Sequence, residues 1–515
     1  MEILGNLIYG LGIALSPQNL LMALLGVVLG VAIGAMPGLG SVNGVAILLP
    51  ITFAIPPTSA IIFLAAIYYG AMYGGAISSI TLNIPGASTA VATTFDGYPL
   101  AQKGRAADAL VTAAVASFIG GSVSIVLFTF FAPPLAEFAL RFGPPEEFAV
   151  VFLAYGTFAG LGGDDPFKTV IATMAGLVMA TVGTDIVSGA PRLIFGGIPG
   201  FYHGINFLVL AIGLYGVGEI FYILEGGLKA RERYQAKLGL KEIVSTLRDL
   251  SRYWVTLARG SLLGFFVGIL PAAGATPASF MSYSLAKRLS KEKHLFGKGT
   301  IEGVAAPECA NNAASTGSML PMLTLGIPGS PTTAVMLGAL YVWGLIPGPR
   351  LFAENPEFVW GLIGSLYIAN TMAVLVAIFA VPFFIWMLRM PMTILAPIIL
   401  VVCAVGGFSP TQDMFDVYLM FIFGVVGYIF RKLDYPLAPM VLALVLGDIT
   451  ERTFRQSMIM SHNSLEILFD IFAHPIAGSL MWTAVALFLT PVVIPLVRRL
   501  RRREGAALPS GGNTG

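Results

Sequence analysis

Charged residues are scarce in this chain of 515 residues, of which they make up 11%, whereas hydrophobic residues make up 56%. An ordinary soluble domain carries roughly 25% charged residues, so the composition excludes that class and indicates an integral membrane protein. The apolar runs lack the alternation of barrel strands, and lipid requires each segment to pair its own backbone groups. We therefore predict an all-α membrane fold with about 10–12 transmembrane helices, some of them broken or re-entrant, because a crossing needs about 20 apolar residues.

Signatures of enzymes and metal sites are also missing. Cys309 and Cys403 do not form a CxxC pair, which argues against a disulfide framework or a metal cluster. The four histidines form no HExxH, and the sequence contains no GxSxG or GxxxxGK[ST]. We predict that the protein is not an enzyme and holds no cofactor. The net charge of +2 gives no support for a nucleic-acid partner.

Lysine and arginine are absent before Lys103 and then occur in clusters at 229–252, 287–298, 431–432 and 498–503. The positive-inside rule places these clusters in the cytoplasm. The start MEILGNLIYG has no basic region and is not expected to be a removable signal peptide. We divide the chain into a first transmembrane half (1–224), a cytoplasmic linker (225–255), a second transmembrane half (256–497) and a cytoplasmic disordered tail (498–515).

A glycine and proline frame occurs once in each half. GVVLGVAIGAMPGLG, from Gly26, matches GSLLGFFVGILPAAG, from Gly260, and TLNIPGASTA, from Thr81, matches TLGIPGSPTTA, from Thr324. Chance recurrence of GxxxG packing motifs explains the glycines but neither the matched prolines nor the second motif. Paired helix breaks at corresponding places in two halves point to the binding site of a carrier.

The loops that follow the matched motifs differ in charge between the two halves, and the half with the basic loop changes from the first motif to the second. The first motif is followed by LPITFAIPPTS in one half and by AKRLSKEKHLFGKG in the other. After the second motif the order reverses: DGYPLAQKGRAAD is basic, whereas in LIPGPRLFAENPEF Arg350 is set against Glu354 and Glu357. This alternation predicts two inverted-topology repeats, with a parallel duplication as the alternative.

Four segments cannot continue as smooth helices: AMPGLGS from Ala35, LNIPGAS from Leu82, LPAAGATP from Leu270 and LGIPGSP from Leu325. Irregular backbone at membrane depth is tolerated where it is buried in protein or lines a cavity, and the positive ends of half-helices attract anions. For one break alone, an ordinary kink or a surface loop is the favoured interpretation. Four breaks in two matched pairs favour a binding site.

The stretch EGVAAPECANNAAS, from Glu302, places Glu308 on the same helical face as Asn311 and Asn312. Two interpretations of Glu308 are open. A buried Glu308 would be costly unless paired or protonated and would be functional. Alternatively, Glu308 charges an exposed helix N-terminus just after Pro307.

The sequence resembles the large membrane subunit (TctA) of the tripartite tricarboxylate transporter family. The resemblance rests on GAMPGLG at Gly34, YGGAISSITLNIPG at Tyr73, DGYPLAQKGRA at Asp96 and the long motif FGKGTIEGVAAPECANNAASTGSMLPMLTLGIPGSPTTA at Phe296. Cys309 stands where the family more usually has alanine, which exchanges one small residue for another.

The resemblance implies a multi-pass secondary transporter of the bacterial inner membrane. It also implies two partners: a small TctB-like membrane subunit and a periplasmic TctC-like binding protein that delivers a carboxylate, either a tricarboxylate such as citrate or a dicarboxylate. Uptake would be coupled to Na⁺ or H⁺, and no metal is expected beyond possible sodium. An anion channel or a single-component anion carrier is the alternative, and a passive scaffold subunit is a further one.

We place the predicted substrate contacts in the four breaks and at the two amides beside Glu308. They are Asn83, Pro85, Gly86, Gly326, Pro328, Gly329, Ser330, Gly38, Gly40, Ala273, Gly274, Asn311 and Asn312. Ser79, Thr324 and Glu308 are the cation-coupling candidates. Either hydroxyl could instead bond a carbonyl within its own helix.

Overall fold

The structure is a computed structural model that describes residues 2–36, 39–83, 85–161, 165–185, 189–226, 240–271, 273–379, 383, 392–408 and 411–489. Gly38, the tail 498–515 and residues 227–239 of the linker lie outside the described residues.

Helices dominate the described chain. In order, they are α1 (Glu2–Ala14), α2 (Pro17–Ala35), α3 (Gly40–Leu48), α4 (Pro57–Leu82), α5 (Val91–Gln102), α6 (Ala106–Ala139), α7 (Pro144–Leu161), α8 (Pro166–Ala180), α9 (Phe207–Ala211), α10 (Gly218–Gly226), α11 (Leu240–Leu250), α12 (Trp254–Ile269), α13 (Ala275–Leu289), α14 (Ile301–Leu325), α15 (Pro331–Val342), α16 (Pro349–Glu354), α17 (Pro356–Phe379), α18 (Met392–Phe408), α19 (Met414–Lys432), α20 (Ala438–Met460), α21 (Glu466–Phe469) and α22 (Pro475–Leu489).

Shorter elements complete the described structure. The π-helical turn Ile212–Val217 joins α9 to α10. The 3₁₀ turns are Leu49–Ala54, Ser88–Ala90, Pro199–His203, Ser251–Tyr253 and Lys293–Leu295. Strands β1 (Gly183–Thr184) and β2 (Pro191–Arg192) form an antiparallel pair.

Six helices among the described residues are long and apolar enough to cross a membrane: Pro17–Ala35, Pro57–Leu82, Ala106–Ala139, Phe207–Glu225, Pro356–Phe379 and Met414–Lys432. Several shorter apolar helices accompany them, including α3, α8 and α15. The predicted all-α membrane fold is confirmed.

The glycine frame forms close helix contacts in both halves. A Cβ added at Gly30 of α2 would lie 2.4 Å from the backbone oxygen of Ile67 in α4, and one added at Gly264 of α12 would lie 2.3 Å from that of Ala310 in α14. Small residues let helix backbones approach this closely in a membrane protein. The GxxxG spacing therefore packs α2 on α4 and α12 on α14 in the same way.

The helix breaks also match between the halves. Asn83 caps the C-terminal end of α4 and Gly326 caps that of α14, and both residues have left-handed backbone, with φ of 53° and 69°. Beyond these ends, a Cβ at Gly86 would lie 1.8 Å from the carbonyl oxygen of Gly34, and one at Gly329 would lie 2.4 Å from that of Gly268. In each half, the second break therefore packs against the C-terminal end of the helix that precedes the first break, which is α2 in the first half and α12 in the second. The inversion of the halves across the membrane stays a prediction.

A buried carboxylate connects the two halves. Asp96, in α5, is fully buried and accepts hydrogen bonds from the backbone N–H groups of Gly297 (3.0 Å), Gly299 (2.8 Å) and Thr300 (3.0 Å), and from the hydroxyl of Tyr283 (2.9 Å). Charge-assisted hydrogen bonds of this kind are about twice as strong as neutral ones. Asp96 therefore fixes the loop before α14 against α5, the helix that follows the second break of the first half.

We expect Asp96→Ala to lower the free energy of unfolding by about 3 kcal/mol or more, because it leaves several backbone donors without an acceptor. The matched control is Asp413→Ala. The exposed Asp413 side chain caps the start of α19 by accepting a hydrogen bond from the N–H of Phe415, and its loss should lower the free energy of unfolding by about 1 kcal/mol. Thermal unfolding of the detergent-solubilised protein measures both. Equal shifts in Tm for the two variants would contradict this role of Asp96.

Candidate functional site

The four breaks surround one cavity of about 810 Å³. Each break contributes a segment of the wall: Gly40–Asn43, Pro85 with Ala87–Thr89, Ala273–Pro277 and Ser330–Thr332. The rest of the wall comes from α4, from the π-helical turn and from the connection between α19 and α20. The volume falls within the range of about 300–1,000 Å³ that is common for small-molecule sites.

Three helices begin at this cavity. They are α3, which starts at Gly40, α13, which follows Gly274, and α15, which follows Ser330. Ser330 and Thr333 form a capping box that fixes the start of α15. The first turn of a helix has unpaired N–H groups and a partial positive charge, so the cavity is suited to an anion.

Hydroxyl pairs join the first break of one half to the second break of the other. Ser41 lies 2.8 Å from Thr332, and Ser88 lies 2.8 Å from Thr276, measured between hydroxyl oxygens. Each pair brings together residues from both halves of the chain. Rearrangement of one half against the other would therefore change the polar wall of the cavity.

Two tyrosines of the wall were not among the predicted contacts. The Tyr68 hydroxyl bonds those of Ser330 (3.1 Å) and Ser318 (3.3 Å). The hydroxyl of Tyr215 is buried and has no hydrogen-bond partner among the described residues. Since a buried hydroxyl normally has a partner, Tyr215 is an available donor for a ligand.

The wall also includes a cation, Arg431 at the end of α19. One of its guanidinium nitrogens lies 3.0 Å from a carboxylate oxygen of Glu219, and the group lies 5.0 Å from the centre of the Tyr222 ring. The four breaks themselves contain no arginine or lysine, and from the sequence Arg431 only indicates a cytoplasmic loop. Its position beside the cavity depends on a packing contact that the local sequence does not indicate.

Glu308 lies within α14 and is fully buried, which rules out the interpretation as an exposed helix N-terminus. Its carboxylate accepts hydrogen bonds from Thr93, from Ser117 (3.1 Å) and from the Asn311 amide (3.3 Å). The described residues provide no cation for it within 4 Å. This oxygen-rich cluster of one carboxylate, two hydroxyls and an amide can hold a proton or a sodium ion.

The cluster reaches the cavity through Asn311, whose amide lies 3.5 Å from the carbonyl oxygen of Thr89 in the cavity wall. Asn312 donates to the side-chain oxygen of Asn311 (2.7 Å), and its own side-chain oxygen is buried without a partner in the described structure. Among the described residues there is no group of three or more histidine, cysteine, aspartate or glutamate side chains suited to a metal ion.

The predicted contacts divide into two groups. Those that line the cavity are Gly40, Pro85, Ala273, Gly274 and Ser330. Those described but not part of its wall are Asn83, Gly86, Gly326, Pro328, Gly329, Asn311 and Asn312.

Several of the second group have an evident structural role. Gly86 and Gly329 pack against helix ends, and Asn83 is an exposed residue at the end of α4. The cation-coupling candidates Ser79 and Thr324 donate to the backbone carbonyls of Gly75 (2.8 Å) and Leu320 (2.8 Å), the alternative that the sequence left open.

Comparison with known proteins gives a family match. The family model described as "Tripartite tricarboxylate transporter TctA family" matches residues 20–442. An Agrobacterium vitis protein described as "Uncharacterized 52.8 kDa protein in TAR-I ttuC' 3'region" is 39% identical over 507 residues, which cover 98% of both chains. A second A. vitis protein, "Uncharacterized protein in TAR-II ttuC' 3'region", is 38% identical over 241 residues, 47% of this chain and 97% of that protein.

No solved structure matches the chain significantly. The family model spans most of the chain and includes all four breaks, and the first relative is similar along nearly its full length. The chain therefore belongs to the tripartite tricarboxylate transporter TctA family.

Proposed function

We propose that this subunit imports a tricarboxylate or dicarboxylate across the bacterial inner membrane by cation symport. A periplasmic binding protein supplies the substrate, and a small membrane subunit completes the transporter. The observation that carries the proposal is the convergence of four helix breaks on one cavity. The membership in a tripartite transporter family supports the same partners.

The cavity has several weak anion-binding elements, and a carboxylate needs more than one. Removing a carboxylate from water costs several kcal/mol, whereas one helix end returns at most about 2 kcal/mol. The cavity combines three helix N-termini, hydroxyls from both halves, the Tyr215 donor and Arg431. Arg431 is already paired with Glu219, so it offsets only part of the charge of a di- or tricarboxylate.

A coupling cation supplies the remaining positive charge in this proposal. The Glu308 cluster is the place for it, because a buried carboxylate without a cationic partner gains most from binding a proton or a sodium ion. The contact from Asn311 to Thr89 connects that cluster to the cavity wall. Binding of the cation and of the substrate would then stabilise the same arrangement of α14 and the second break.

We expect Tyr215→Phe to raise KM for the carboxylate by about tenfold, since a hydrogen bond to a charged ligand contributes about 1.5–3 kcal/mol. The variant keeps the ring and removes only the unpartnered hydroxyl. Tyr155→Phe is the control, because the Tyr155 hydroxyl bonds Thr450 (2.8 Å) outside the cavity. Labelled citrate uptake into proteoliposomes that contain both membrane subunits and the binding protein measures KM, and an unchanged value for Tyr215→Phe would remove Tyr215 from the site.

We expect Glu308→Gln to abolish the acceleration of uptake by an imposed Na⁺ or H⁺ gradient while citrate still equilibrates down its own gradient. Glutamine keeps the size and shape of the side chain but removes the negative charge that would bind the coupling cation. Glu302→Gln is a close control: Glu302 lies in the same helix, is buried and accepts from the hydroxyls of Thr256 (2.6 Å) and Ser290 (2.6 Å). Uptake is measured with each gradient imposed separately.

The same assay tests the function itself. Symport predicts that wild-type uptake needs both the ion gradient and the binding protein. Flux in the wild type that is independent of both would identify an anion channel and overturn the proposal.

A further inference from the structure

A second cavity, of about 720 Å³, lies at the other end of helices that line the first. α15 contributes Ser330–Thr332, at and just before its start, to the first cavity, and Gly338, Tyr341 and Val342 to the second. α20 and the helix Phe207–Glu225 likewise contribute to both. The two cavities therefore face each other along three shared helices.

The partition between them is thin and apolar. From Thr332 to Gly338 and from Pro439 to Leu444, helix geometry gives a separation of roughly 7–9 Å at about 1.5 Å per residue. Within these stretches Val335, Met336, Leu337, Leu442 and Ala443 are fully buried. Apart from Thr333, a buried apolar layer about two helical turns or less in thickness separates the two spaces along α15 and α20.

The positive-inside rule places the two cavities toward opposite faces of the membrane. Arg431 and Tyr435 lie in the wall of the first cavity. Arg431 belongs to the basic pair 431–432, which the positive-inside rule places in the cytoplasm, and Tyr435 follows that pair closely in the chain. At the same face, Lys168 near the start of α8 donates to the carbonyl oxygen of Leu433 (2.8 Å). α8 ends at the second cavity, where Met179 and Ala180 form part of the wall. The second cavity is therefore the one toward the outside.

Arginines line the second cavity in two different states. Arg192 donates to Glu451 (2.8 Å) and lies 3.3 Å from Asp185, yet its Nε is buried without a hydrogen-bond partner in the described structure. Arg452 is exposed in the cavity and makes no hydrogen bond or ion pair within 4 Å to any described residue. Asp448, one turn earlier in α20, also lines the cavity and reduces the positive potential there.

We propose that the second cavity is an outer vestibule that holds a di- or tricarboxylate at Arg452 and Arg192 before the substrate crosses the partition to the first cavity. The inference rests on the proposed function, since it assigns an entry site to the same carboxylate. Arginine binds a carboxylate through two parallel hydrogen bonds, and the unpaired guanidinium of Arg452 is available for this geometry. The volume is sufficient for a small polycarboxylate.

The position of the vestibule is tested by cysteine labelling, which needs no transport activity. The native Cys309 and Cys403 are both buried, so the unmodified chain serves as the blank. Val342→Cys places a thiol in the second cavity and Ser88→Cys places one in the first. A membrane-impermeant maleimide should label Val342→Cys in spheroplasts and Ser88→Cys in inside-out vesicles. Labelling of both from the same side, or no labelling of Val342→Cys from outside, would overturn the proposal.

The ligand is tested by protection of Val342→Cys in spheroplasts, with citrate and succinate as probes. We expect at least one of them to slow labelling at saturating concentration. Adding Arg452→Gln should raise the half-protecting concentration about tenfold, the loss of one charge-assisted contact. Adding Asp448→Asn should lower it, because this removes a competing negative charge. Arg141→Gln, an exposed arginine outside both cavities, should leave it unchanged.

Absence of protection by both probes, or equal effects of Arg452→Gln and Arg141→Gln, would overturn the vestibule. The labelling results test the vestibule, whereas the uptake results test the proposed function. If uptake is gradient-dependent and Val342→Cys is not protected, carboxylate import stands and the entry site is elsewhere. If protection is found and uptake ignores the gradient, the vestibule stands and symport fails.

Discussion

The close packing of glycine backbones against neighbouring helices is the constraint on which the rest of the structure depends. In each half, a helix that carries glycines four residues apart lies against a long buried helix, at a distance that a single methyl group would not permit. The broken segments are held in place by the same contacts, because Gly86 and Gly329 rest on the carbonyl groups of Gly34 and Gly268. Irregular backbone in a membrane protein must be packed or paired, and here packing fixes it beside a cavity.

The polar site follows from this arrangement. Since the breaks of the two halves face each other, helix N-termini and hydroxyls from both halves form one wall, and Ser41 and Ser88 each bond a hydroxyl of the opposite half. Under the proposed function, such a wall would bind an anion through several modest contacts in place of one strong ion pair. A site of this kind is suited to a transporter, because binding must be strong enough to select the substrate and weak enough to release it.

Three buried carboxylates differ in the groups that satisfy them. Glu308 is satisfied by neutral hydroxyls and an amide, Asp96 by backbone N–H groups, and Asp185 by Arg192 and Arg455. Asp96 and Asp185 already have several hydrogen-bond or ion-pair partners, whereas Glu308 has no positive partner in the described chain, and the proposed function therefore puts the coupling ion there.

The sequence alone determined the membrane class, the all-α fold and the duplicated breaks, because hydropathy, glycine spacing and proline positions act over short stretches of chain. It left two interpretations of Glu308 open, and the burial of that side chain in the structure decided between them. The sequence singled out the break segments, parts of which line one cavity in the structure, yet it did not separate Ser330, which faces the cavity, from Gly329, which packs against a helix. Only the tertiary structure placed Tyr68, Tyr215 and Arg431 in that wall and Asp96 between the halves. Those positions are set by contacts between residues more than a hundred positions apart, and no local pattern in the sequence records which helix faces pack together.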